Sequence, residues 1–238
     1  GLTHTFKLRE GVLFHNGEEM TSEDVVASMN RWLEHSSRAV SLLSGSTFEA
    51  VDDYTVTFNL QERVSDTLDI MAGQGQFPAI MPKEVIESAT AEGVTETIGT
   101  GPFKFEEWKQ DQYILLTKFE DYQAVDEETS GFAGKKEALV DNVYYHIVPD
   151  TSTRIAGLQT GEYHIAEAIS PDNYEQLQNT DGVEAHPYLS GTVVGFFNKK
   201  EGLMTDQKMR QAINAMLDMD AIMLASFAHD DLYEIHSS

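Results

Sequence analysis

"FKLREGVLFHNGEEMTSEDV", residues Phe6 to Val25, runs from a strand pattern through a turn into the start of a helix. Thr3 to Leu8 alternates, with Phe6 and Leu8 on one face, as a half-buried strand requires. Asn16-Gly17 supplies the positive φ angles of a tight turn. Thr21 suits a helix N-cap, and Glu23 and Asp24 place negative charge where the helix dipole favours it. Val25, Val26, Met29, Trp32 and Leu33 then follow at helical spacing. His15 is the sharpest candidate for chemistry here. One reading makes it a ligand-facing or proton-transferring imidazole; the other, which we prefer, has it hydrogen-bonding the backbone of the turn beside it.

Working outward, "TFEAV" and "YTVTFNL" form a hairpin about Asp52-Asp53, and a short helix is expected over Ser65 to Met71. "GQGQFPAIMPKEVIESA" reads as a Gly-broken loop, a few extended residues and a helix opening near Pro82. "FKFEEW" and "YILLTKF" pair around Gln110-Asp111-Gln112, and Asp121 to Ala138 is an exposed excursion. From Val140 strands and helices alternate. "VDNVYYHIV", "YHIAEA", "VEAHPY" and "TVVGFFN" are expected strands; helices are expected from Asp150 or Thr151 to Leu158, from Ser170-Pro171, from Thr205, and from Asp218 or Asp220 to Phe227. That repetition argues for an α/β layer with some parallel strands.

The chain has 238 residues, enough for one large or two modest domains. With 40 acidic residues against 16 basic, its formal net charge is −24, which repels phosphate backbones and anionic lipid and argues against nucleic-acid or membrane-surface binding. No stretch approaches the roughly 18 consecutive apolar residues of a membrane helix, so no direct membrane insertion is expected. Without cysteine there is no disulfide, thiol catalysis or thiolate metal site. Gly1-Leu2-Thr3 enters strand-like sequence at once and Ile235 to Ser238 ends without a closing element, so the chain is expected to be an internal piece from which any signal has gone.

Catalytic templates fail. "GFAGKK" lacks the spacing and hydroxyl of a phosphate loop, "GQGQFP" and "GTGPF" lack the third glycine of a dinucleotide fingerprint, and no serine sits in a nucleophile elbow. The 8 histidines are scattered, with no helical pair suited to zinc. His146, His164 and His186 are read as ordinary strand residues. Asp52-Asp53 serves a turn and Glu106-Glu107 a strand flank, so neither pair is assigned acid–base work. We therefore expect no catalytic residues, no metal site and no cofactor.

Taken in order, "FKLREGVLFHNGEEMTSEDV", "VDDYTVTFNL", "IMPKEVIE", "IGTGPFKFEEW", "VDNVYYHIVPDTSTRIAGLQTGEYHIAEAI" and "FFNKKEGLMTDQKMRQAINAMLDMDAI" resemble the extracytoplasmic solute-binding proteins of the oligopeptide/dipeptide/nickel class, family 5, which serve ABC importers. The likeness covers nearly the whole chain; His164 stands where the family usually has an aspartate. The resemblance implies a fold of the α/β, periplasmic-binding-protein-like (type II) class with mixed sheets flanked by helices, of which only one lobe is present. Residues 1–97 would be the family-specific extra domain of the first lobe, 98–227 part of its central α/β domain, and 228–238 the crossover towards the missing second lobe. It implies a non-catalytic protein that encloses a peptide or similar solute between two lobes and delivers it to an ABC permease. Its location would be extracytoplasmic, in the periplasm or as a cell-surface lipoprotein of the Gram-positive type. A nickel or metal-chelate carrier of the same family is the alternative, and an acid–base hydrolase a more distant one. For one wall of the cleft, the candidates are Gln74, Gln76 and Phe77, in a Gly-loosened loop, and Ser190, Thr192, Phe197 and Asn198, where polar and aromatic side chains meet a strand edge. Core burial of Phe77 is the competing reading of the first loop.

Overall fold

The computed structural model describes residues 1–188 and 193–235. They divide into two compact units, 1–147 and 148–238. The first holds two three-stranded sheets. β1 (Thr3–Lys7), β2 (Thr47–Asp52) and β3 (Thr55–Asn59) pair antiparallel in the order β1-β3-β2. The register sets Phe6 opposite Val56 and both His4 and Phe48 opposite Phe58. Opposed residues share a face, so alternation in the sequence becomes one apolar surface. Helix α1 (Ser22–His35) lies against it with Val25, Met29 and Trp32 buried. Phe48 and Phe58 stack at 4.1 Å with ring planes 4° apart.

The start of α1 follows the expected chemistry. The backbone N–H and the hydroxyl of Thr21 both donate to Asp24 Oδ2, at 2.8 and 3.1 Å. Asp24 Oδ1 accepts from Lys83 N–H at 2.8 Å, so one buried carboxylate also binds the start of α4 (Lys83–Glu87). Between these helices come α2 (Ser37–Leu42), which the sequence did not announce, and α3 (Thr67–Ala72). The second sheet is β4 (Phe103–Lys109), β5 (Tyr113–Lys118) and β6 (Asn142–His146), antiparallel in chain order, with Asp111 at φ 58° in the first turn.

In the second unit, α5 (Thr151–Thr160) starts at Asp150, whose Oδ1 accepts from Thr153 N–H at 2.7 Å, and stops at Gly161 with φ 77°. Hydrogen bonds from Thr153, hydroxyl first and backbone second, hold the Asp150 carboxyl below its ordinary range. Then come α6 (Tyr174–Gln178), α7 (Gln207–Met216) and α8 (Met219–Phe227), the last two capped by Asp206 and Asp218. The strands expected at "YHIAEA", "VEAHPY" and "TVVGFFN" are not formed among the described residues. Several of their apolar side chains are exposed, Ile165 at 80% and Phe196 at 92%. A strand exists only through a partner, and the described residues of this unit supply none.

Gly157 has a packing reason. A Cβ there would stand 2.3 Å from the Tyr163 ring. Gly157→Ala, which on an open helix adds roughly 1 kcal/mol of stability, is therefore expected to destabilise by about 1–3 kcal/mol through overpacking. Urea denaturation checks the sign; a gain in stability would mean that Tyr163 swings aside freely.

Candidate functional site

α1 has a second, more polar face. Ser28, Arg31, Trp32 and His35 recur at helical spacing and form one side of a groove of about 450 Å³. The segment 76–81, α4 and the turn at Gly93-Val94 form the rest. Two side chains of α1 hold that segment in place. Ser28 Oγ donates to Met81 O at 3.1 Å and accepts from Met81 N–H at 3.0 Å. Trp32 Nε1–H donates to Gln76 O at 2.7 Å. Backbone groups that a loop would otherwise leave to water are thus satisfied by the helix.

Gln76 is bound on both sides. Its Oε1 accepts from Ser36 Oγ at 2.9 Å and from Arg38 N–H at 3.3 Å, and its Nε2 donates to Ser37 Oγ at 3.0 Å. The carboxamide therefore supplements the Ser36 cap of α2, satisfying an orphan N–H of the first turn. Phe77, next along, has extended backbone and is 54% exposed, with its ring 5.7 Å from that of Phe132. Its ring lies at the groove, outside the apolar cluster under α1. Gln74 begins the helical turn Gln74–Gln76, and a side chain at Gly75 would meet nothing within 4 Å.

Of the second candidate stretch, Ser190 and Thr192 lie outside the described residues. Phe197 is half-buried and Asn198 exposed, with Asn198 Oδ1 accepting from Lys200 N–H at 3.0 Å. These two belong to the second unit and the Gln74–Phe77 loop to the first. Arg31 and His35 were not read from the sequence, because a polar residue on an amphipathic helix has the same appearance whether it lines a groove or meets solvent.

His15 is structural, but its partners are distant. Its Nδ1 accepts from Gly99 N–H at 3.2 Å, its Nε2 lies 3.0 Å from Gly101 O, and its own N–H donates to Gly99 O at 2.9 Å. The ring meets Phe119 edge-on at 5.1 Å. Neutral imidazole protonated at Nε2 satisfies both ring contacts. Burial, with a lesser contribution from Lys104, pushes the His15 pKa below its ordinary value against the opposing pull of Gly101 O. With both nitrogens engaged, the ring presents no free base. His229, Asp230 and Asp231 bring possible ligand atoms within 4.8 Å of one another, but His229 Nδ1 already accepts from Asp231 N–H at 3.2 Å. No helix among the described residues is long and apolar enough to cross a membrane.

The sequence profile of the bacterial extracellular solute-binding proteins, family 5 (middle), matches residues 1–230. The oligopeptide-binding protein AppA of Bacillus subtilis (strain 168) is 31% identical, over 94% of this chain and 40% of its own length. Among solved structures, the substrate-binding protein CtaP of Listeria monocytogenes superposes with a TM-score of 0.74 at 28% identity, covering 97% of this chain and 46% of that one. NikA of Brucella suis, solved with Fe(III)-EDTA, gives 0.73 at 25% identity, covering 98% and 47%. The chain spans less than half the length of each. A strand-turn-helix opening, a short hairpin beneath α1 and a match running almost from end to end lead to one assignment: the chain belongs to the bacterial extracellular solute-binding proteins, family 5.

Proposed function

We propose that the chain is part of a non-catalytic receptor that captures a short peptide or similar solute outside the cytoplasm and passes it, through the complete protein, to an ABC permease. Phe77 is the observation that carries this reading. An aromatic ring 54% exposed at a groove costs solvation unless something is to cover it, and Trp32 and Ser28 fix the backbone on either side of it, at Gln76 O and at Met81. Gln74, Gln76 and Phe77 in the first unit, Gln76 by fixing the loop, and Phe197 and Asn198 in the second, with Ser190 and Thr192 outside the described residues, remain the candidates for the cleft wall. The division is that of the resemblance: residues 1–97 as the extra domain of one lobe, 98–227 as part of its central domain and 228–238 as the crossover. The likeness to AppA, an oligopeptide-binding protein, supports a peptide; the likeness to NikA keeps a metal-chelate carrier as the second reading.

Two measurements test this. Native mass spectrometry of the complete protein from its own host is expected to find a co-purified peptide; a metal chelate in its place favours the second reading. Calorimetry on the 238-residue chain is expected to give peptide affinity no tighter than about millimolar, because a single wall leaves half the desolvating contacts unmade. Micromolar binding would overturn the single-wall reading, and peptide turnover the non-catalytic one.

A further inference from the structure

The groove on α1 carries charge as well as apolar surface, and we infer that it recognises a carboxylate: the solute sets an anionic group against Arg31, with His35 beside it, and lays its apolar part on Trp32, Phe77 and Val94. This rests on reading the groove as part of a solute site.

The chain holds 40 acidic residues against 16 basic, yet the residues lining this groove include Arg31 and His35 and no aspartate or glutamate. Arg31 is half-buried and makes no ion pair or hydrogen bond among the described residues. Several other cations are engaged: Lys83, Lys118 and Lys135 each meet a glutamate, and Arg9, Arg154 and Arg210 donate to carbonyls. Lys104, also half-buried, and exposed cations such as Arg38 and Arg63 have no side-chain partner among the described residues. What sets Arg31 apart is its place: a partly desolvated guanidinium without a partner, in a groove lined by no carboxylate of its own, is left to an anion from outside. Its planar fork of donors fits a carboxylate in two-point contact. One turn on, His35 offers a further N–H donor on the same face. The indole N–H of Trp32 is already spent on Gln76 O, so Trp32 adds only the apolar edge it shows to the groove and the two basic side chains are left to meet the anion.

The test uses the isotope-labelled 238-residue chain. The Trp32 indole resonance reports on the groove, and that of Trp108, exposed on β4, is the internal control. The probes are acetate, the tripeptide Ala-Phe-Leu and its C-terminal amide. The free acid is expected to shift Trp32 at about tenfold lower concentration than the amide. Arg31→Gln should remove that difference and Arg31→Lys should keep part of it. If Arg31→Gln disturbs the spectrum beyond the groove, the acid–amide comparison on the unaltered chain decides. Equal shifts by acid and amide would overturn carboxylate recognition and leave the peptide reading standing. Acetate matching the free acid would uphold carboxylate recognition and sink the peptide reading. A Trp32 signal unmoved by every probe would overturn carboxylate recognition at this groove, while the peptide reading would stand or fall on the complete protein.

Discussion

Replacing Phe58 by alanine is expected to lower the unfolding free energy by about 3–5 kcal/mol, the range for removing a buried aromatic ring without collapse of the space it leaves. Phe58 is fully buried on β3, the central strand of its sheet, stacked on Phe48 and lying within the apolar cluster under α1. Neighbouring strands on both sides prevent the backbone from moving inward. The same substitution at Phe196, 92% exposed, is expected to change stability by less than about 0.5 kcal/mol. Guanidinium denaturation followed by Trp32 fluorescence reads the transition of the first unit, and a loss below about 1 kcal/mol for Phe58→Ala would mean that this cluster does not hold the sheet and α1 together.

His15→Ala is expected to cost about 2–4 kcal/mol at neutral pH, because it leaves Gly99 N–H and Gly101 O without their ring partners and exposes the edge of Phe119. The cost should also depend on pH. Since the folded-state pKa lies below the unfolded value of about 6.5, the unfolded chain binds the extra proton first as pH falls. The stability His15 contributes is thus fully present above about pH 6.5 and is lost as pH drops through the lower, folded value. Chemically, protonated Nδ1 becomes a donor facing the Gly99 N–H donor. Unfolding free energies of both proteins at about pH 8 and about pH 5 should show the His15→Ala deficit shrinking on acidification. A deficit that stays constant would mean that the imidazole is not held neutral by these contacts.

These two residues also mark how far the sequence could be read. Phe58 was legible because hairpin alternation and a helix with a matching apolar stripe specify local structure and burial together. His15 was legible as structural, but not its partners: Gly99 and Gly101 lie far along the chain, and nothing in residues 11–25 encodes them. The stretches "YHIAEA", "VEAHPY" and "TVVGFFN" show the opposite limit. Their composition suits strands, but ladder hydrogen bonds belong to pairs, and the described neighbours provide no such pair. α2 escaped notice because it spans only Ser37–Leu42 and relies on the side chain of Gln76, far off in sequence, for part of its capping. Of the residues that line the groove, Phe77 drew attention through its glycine-loosened loop, whereas Arg31 looked like any solvated charge of an acidic protein.

Gln76 ties two tasks to a single amide. The side chain that steadies the groove's rim also fills the first turn of α2 through Arg38 N–H. A guest that pulls on residue 76 must loosen the beginning of that helix, and one that settles the rim must tighten it. If the groove takes the proposed solute, deuterium uptake at the Arg38 amide, outside the groove itself, is expected to change with occupancy.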